Sequence, residues 1–324
     1  MSSIAEVLVG FELAGKLLMM SSEDRRAFEA LELRIRAILP EEYQDSYEEV
    51  EPVSMGSASL KYDQDGKVAW DDIWGSFCDL AMAGGPPHKG NLLMAASREE
   101  IDAAPETYQV VLQEICRGIE MVTGLAAVPS PAPGWVRVQC TTPAMAGWLA
   151  RAIVMENVAA RCEGATLDLP AGPGYRVEKE IKNVITSIAK ACHYWRDHTS
   201  STQQQKIGHL FDSLAAESPL IQPATVDFHA ETDRSLRRRI ADSVRQTTGL
   251  TTWEAHCDGW LGFVFPTVKS AIWMMRAMVA SNILARREDT ILFIPVNPKT
   301  DPDGDSVVRT LRRLHRFARV RRLL

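Results

Sequence analysis

Part of the sequence is written twice, and this limits the folds open to it. Residues 123–170 fall without a gap on residues 248–295 when the chain is shifted by 125 positions, and 17 of the 48 aligned positions are identical. Unrelated stretches of such composition would share about three. The identities include Thr123/Thr248, Gly124/Gly249, Gly134/Gly259, Trp135/Trp260, Trp148/Trp273, Arg151/Arg276, Asn157/Asn282, Arg161/Arg286 and Pro170/Pro295. The match reads as an internal duplication, so any structure assigned to one copy has to serve the other.

Each copy carries the pattern hairpin, helix, strand, helix. In the first, two strands flank Gly134, an apolar helix covers 143–161, a strand covers 166–170 and a helix runs over 176–195. The second gives strands at 251–255 and 260–265, a helix over 267–286, a strand at 290–295 and a helix from Asp305 to the end.

Upstream, apolar residues at helical spacing predict two helices in 2–38, the second capped by Ser21 or Ser22 and closed by Pro40. An acidic connector follows at 41–52, then a hairpin around DQDG, a helix opening at Asp71 and Asp72, a glycine-proline stop, a short strand at 92–95, a turn at 97–104 and a helix starting at Pro105. This order reads either as a third, worn copy or as a common hairpin-helix-strand arrangement.

The expected architecture is α+β: tandem β-β-α-β-α units with an N-terminal helical arm. Its boundaries are an arm and connector at 1–52, a unit at 53–122, repeat 1 at 123–197, a linker at 198–230 with weak helicity around Ile207 to Leu214, and repeat 2 with its basic terminal helix at 231–324.

With 46% hydrophobic and 24% charged residues in 324, the chain has ordinary globular composition. No run approaches the ~18 apolar residues of a membrane span. Glu6 and Glu12 stand where a signal peptide would carry basic residues, so a cytoplasmic location is the expectation. The six cysteines form no C-x-x-C and read as reduced and buried. Charge is uneven: 231–324 holds 17 Lys and Arg against 10 Asp and Glu, leaving 19 against 32 elsewhere. The basic end therefore suits an acidic partner, or an acidic patch on the N-terminal part of the chain.

Candidates for chemistry come from three places. The loop 83–90 (AGGPPHKG) joins the freedom of Gly84 and Gly85 to the titratable His88 and the positive Lys89, a set suited to a carboxylate or phosphate. Arg151/Arg276 and Asn157/Asn282 are retained in both copies within apolar helices. They read either as structural hydrogen-bonders or as a pair of arginines converging on an anion. Lys182 and His193 lie on the polar face of the helix over 176–195, with His193 beside His88 as a candidate acid or base. Adjacent helical residues diverge by about 100°, so Cys192 and His193 make poor co-ligands, and no spacing resembles a zinc site.

Two functions follow as expectations. One is a small-molecule protein, a biosynthetic or modifying enzyme taking an anionic metabolite at a cleft between repeats. The other is a non-enzymatic accessory protein whose basic terminal helix (Arg309, Arg312, Arg313, Arg316, Arg319) grips an acidic protein. Nucleic acid ranks last, because total charge is −6 and no aromatic interleaves the arginines. No cofactor is indicated; homo-oligomerisation is open.

Overall fold

A computed structural model describes residues 20–45, 59–74, 91–224, 230–253 and 259–324. The chain divides into two compact bodies, one of residues 40–216 and one of residues 1–39 with 217–324. In chain order the helices are α1 (Ser22–Ile38), α2 (Trp70–Trp74), α3 (Arg98–Ala103), α4 (Pro105–Thr123), α5 (Pro143–Met155), α6 (Lys182–Asp197), α7 (Ser201–Glu217), α8 (Ala230–Thr248), α9 (Val268–Val279) and α10 (Asp305–Val320). The strands are β1 (Ala127–Pro129), β2 (Trp135–Gln139), β3 (Arg161–Glu163), β4 (Thr166–Pro170), β5 (Thr252–Trp253), β6 (Trp260–Val264), β7 (Arg286–Glu288) and β8 (Ile291–Pro295). They form two antiparallel four-stranded sheets, ordered β1-β2-β4-β3 and β5-β6-β8-β7. The α+β class expected from the sequence is what is found.

In the body of residues 40–216, Val136, Val138, Leu167 and Leu169 alternate along β2 and β4 and are fully buried. Strand alternation sends them all to one face, and the helices cover that face. Helix α5 packs on β3 and β4, α4 packs on β1 and β2, and α6 packs against both α4 and α5. The opposite face carries Trp135, Arg137, Asp168 and Arg161. In the other body, Leu261, Phe263, Leu292 and Ile294 form the helix-facing rows of β6 and β8. There α9 packs on β7 and β8, α10 lies against α8 and α9, and α1 packs against α9.

Chain chemistry explains the element ends. Ser21 caps α1 by accepting the Asp24 N–H at 3.0 Å. Thr142 and Thr267 do the same for α5 and α9, accepting from the N–H of Met145 and Ser270. Helix α4 ends at Gly124 and α8 precedes Gly249, at φ 64° and 76°, the left-handed conformation that glycine adopts without a Cβ penalty. Next to those glycines, the Thr123 hydroxyl donates to the Ile119 carbonyl and accepts from the Leu125 N–H. The Thr248 hydroxyl repeats both bonds, with Val244 and Leu250.

Several elements differ from the expectation. Helices α5 and α9 stop at Met155 and Val279 instead of reaching the arginines at 161 and 286, because Asn157 and Asn282 take φ of 62° and 63°. Strands β3 and β7 then begin at those arginines, so each sheet has four strands. Residues 97–104, read as a turn, contain α3, held by reciprocal bonds between Ser97 and Glu100. The weak helix expected around Ile207 to Leu214 is the full 17-residue α7. The predicted hairpin around DQDG is reduced to one antiparallel bridge, Tyr62 with Val68. The first predicted helix of the arm and most of the predicted helix after Asp71 lie outside the described residues, as does part of the stretch read as a third copy.

One further pairing recurs in both bodies. Leu93 makes a parallel bridge with Val158, and Ile221 makes one with Ile283. In each case the residue just after the left-handed asparagine is joined to a segment that precedes the unit's first long helix.

Candidate functional site

The arginines matched between the two aligned stretches have different surroundings. Arg151 is buried in α5, where Nη1 donates to the Gly147 carbonyl one turn back at 2.8 Å. Its guanidinium lies 3.9 Å from the centre of the Phe211 ring. Burial pushes its pKa down to about 10, which still leaves it charged at neutral pH. Arg276 is half-buried on α9. Asn157 and Asn282 are buried at the helix ends, and Asn282 Nδ2 donates to the Ser218 carbonyl at 2.8 Å. Asparagine is enriched at such positions because its short polar side chain tolerates the left-handed region. Lys182 is buried at the start of α6, and burial lowers its pKa. Gly84, Gly85, His88 and Lys89 lie outside the described residues.

The basic terminal helix divides its charges. Its apolar stripe, Val307, Leu311, Leu314, Phe317 and Ala318, is buried, with Phe317 edge-on to Phe28 of α1 at 5.3 Å. Arg316 reaches Asp24 of α1 at 3.1 Å, and Arg321 reaches Glu32 of α1 at 2.6 Å. Part of the basic surplus is thus met by acidic groups of the N-terminal helix, within one body. Arg309, Arg312 and Arg319 are exposed and make no ion pair among the described residues. With Arg316 they repeat at intervals of three and four, which sets them on one stripe.

Sequence order did not reveal a further cluster of titratable groups. His193 on α6 and His198 just past its end face each other, Nε2 to Nε2, at 3.0 Å. The other ring nitrogen of each meets a carboxylate: His193 Nδ1 lies 2.7 Å from Asp197 Oδ2, and His198 Nδ1 lies 2.8 Å from Glu42 Oε1. Glu42 belongs to a single 3₁₀ turn, Glu41–Tyr43, whose neighbour Glu41 accepts from the Ser200 hydroxyl at 2.7 Å. Tyr43 stacks edge-on against Tyr194 at 6.0 Å, and Tyr194 lies 5.1 Å from the His198 ring. Burial, and after it the bond with Tyr194, raises the Tyr43 phenol above its usual range. His193 was marked by its place on a polar face. The i, i+4 spacing of His193 and Asp197 was readable, but nothing local in the sequence pointed to Glu42.

The thiols are inert by comparison. Burial pushes Cys140 and Cys192 up to about 12 and Cys116 to about 11, so these three stay protonated at neutral pH. Cys78 and Cys257 lie outside the described residues. No family model, curated protein or solved structure matches this chain.

Proposed function

We propose that the protein is a non-enzymatic accessory protein, built from a tandem duplication of one four-stranded unit, which docks an acidic protein segment on the exposed arginine stripe of α10. The observation that carries this reading is the stripe itself. Arg309, Arg312 and Arg319 are exposed, while α10 already has a complete buried apolar face. Like charges three and four residues apart cost a helix about 0.2–0.5 kcal/mol per pair, so helix stability does not account for them. An acidic segment would relieve that repulsion. The net charge of −6 disfavours a long polyanion such as nucleic acid, whose phosphates would meet the acidic remainder of the chain.

The duplication is supported by the shared strand order, the matched left-handed glycines and asparagines, and the repeated threonine bonds at the ends of α4 and α8. The same gapless shift also carries Pro105–Thr123 onto Ala230–Thr248, two helices of 19 residues each. The competing reading, an anionic metabolite held by Arg151 and Arg276, draws less support, because Arg151 is already engaged by the Gly147 carbonyl and the Phe211 ring.

The test is a binding titration of the full chain with a poly-glutamate peptide at low and moderate salt, beside a single-stranded oligonucleotide of equal charge. Peptide binding is expected to weaken at least tenfold in the triple variant Arg309→Glu, Arg312→Glu, Arg319→Glu. Equal binding by the variant, or tighter binding of the oligonucleotide, would overturn the proposal.

A further inference from the structure

One member of the arginine stripe on α10 already holds a carboxylate. Arg316 sits between Arg312 and Arg319, and its Nη2 donates to Oδ1 of Asp24, in the first turn of α1, at 3.1 Å. At a rise of about 1.5 Å per residue, Arg312 and Arg319 stand about 10.5 Å apart along the helix axis. With Arg316 engaged, the stripe is split into Arg309 and Arg312 on one side and Arg319 on the other.

The two ion pairs between α1 and the α10 region differ in depth. The side chains of Arg321 and Glu32 are 11% and 15% exposed, whereas those of Arg316 and Asp24 are 58% and 31% exposed. Helix α1 is held besides by the burial of Phe28, Leu31, Ile35 and Ile38. Water screens the outer pair, so exchanging its carboxylate for another costs little and leaves α1 docked. The surroundings favour an anion whichever molecule supplies it. Burial and then the charge of Arg34 lower the pKa of Arg313, Glu217 opposes them, Arg316 lowers it further, and Asp24 opposes.

We propose that Asp24 is an internal stand-in for the partner's carboxylate. It occupies Arg316 in the free chain and yields it when an acidic segment docks along Arg309, Arg312, Arg316 and Arg319. Resting on the acidic-partner reading, this adds a restraint: α1 lowers the affinity of α10 for its partner by competing for one arginine of four. A partner that finds its site partly occupied binds more weakly in proportion.

Fluorescence anisotropy of a labelled poly-glutamate peptide at low salt measures the affinity of the full chain and its variants. Asp24→Asn is expected to tighten binding about two- to fivefold, the factor that one exposed ion pair supplies. It retains the backbone N–H that Ser21 accepts, so the cap of α1 is kept. Arg316→Ala should weaken binding, and Asp24→Asn added to it should then gain nothing. Glu29→Gln makes the same charge change at an exposed position of α1 and should have a smaller effect than Asp24→Asn. In the unaltered chain, the side-chain carboxyl ¹³C resonance of Asp24 should move on adding peptide while that of Glu32 stays. An equal gain from Glu29→Gln, a gain that persists without Arg316, or an unmoved Asp24 resonance at saturation would overturn the proposal. Peptide binding with no gain in Asp24→Asn overturns the restraint alone; no peptide binding by the unaltered chain overturns the docking reading and the restraint together.

Discussion

Arg137 stands directly opposite Asp168 on the neighbouring strand, with Nε donating to Oδ1 at 2.8 Å and Nη2 to Oδ2 at 3.0 Å. From the other side Arg161, also in register with Asp168, donates from Nε to Oδ2 at 3.0 Å. One buried carboxylate therefore holds two guanidiniums across three strands. In the other sheet the same row is Gly262, Phe293 and Arg286, and the arginine lies 3.9 Å from the centre of the Phe293 ring instead.

Removing the carboxylate leaves two cations facing each other. Asp168→Ala is expected to destabilise the protein by about 3 kcal/mol, the scale of breaking a buried ion pair from one side. Arg137→Ala should cost about 1 kcal/mol or less, because its side chain is 31% exposed. Urea unfolding of the two variants checks the order; equal losses would show that the carboxylate is not the centre of the triad.

Gly134 and Gly259 occupy matched turns at φ 83° and 75°. A Cβ on Gly134 would come within 2.5 Å of the Ala96 carbonyl oxygen, whereas one on Gly259 would meet, among the described residues, the Pro223 Cβ at 3.5 Å. Gly259→Ala is expected to cost about 1 kcal/mol of left-handed strain, and Gly134→Ala about 3 kcal/mol, since backbone must also move. Melting curves of the two variants measure the difference.

At Asn282 two effects separate by choice of replacement. Asn282→Gly keeps the left-handed backbone and loses the bond to the Ser218 carbonyl, at a cost of about 1 kcal/mol. Asn282→Ala loses the bond and adds strain, for about 2 kcal/mol or more. If glycine were the worse replacement by chemical denaturation, left-handed strain would not be what separates the two variants.

The α+β class and the helix starts at Ser22, Pro105 and Asp305 were legible because caps and apolar periodicity are local signals. Strands β3 and β7 were hidden. The residues leading into them, 158–160 and 283–285, continue an apolar helical pattern, and the break depends on a left-handed asparagine, which no periodicity marks. The ionic row in the first sheet depends on register, set by strand pairing rather than by spacing. Of the candidate site, His193 was marked by its face, but Glu42, which meets His198, is distant in sequence and falls in a segment that reads as a solvated connector.

Acid should loosen the turn Val177–Ile181 that leads into α6. Burial alone would raise the Glu180 carboxyl, but bonds from the Arg176 side chain and backbone N–H outweigh it, so its pKa is held at about 2 against an ordinary 4.5. The folded value is depressed, so the stabilisation is complete above about pH 4.5 and is lost as pH falls towards 2. The stability gap between the protein and its Glu180→Gln variant, by denaturant titration at several pH values, should be widest near neutrality and should close in acid. A gap that widens in acid would reverse the assignment.

The backbone bridge from Leu93 to Val158 has a kinetic consequence. During synthesis Leu93 emerges well before the asparagine turn that offers it a carbonyl, so this segment waits, unpaired, while α4, β1, β2 and α5 are still being made. Distant pairings of this kind carry the loop-closure penalty and tend to form late. Each unit therefore fastens its own leading edge late, and a ribosome paused before residue 158 would display that edge uncovered.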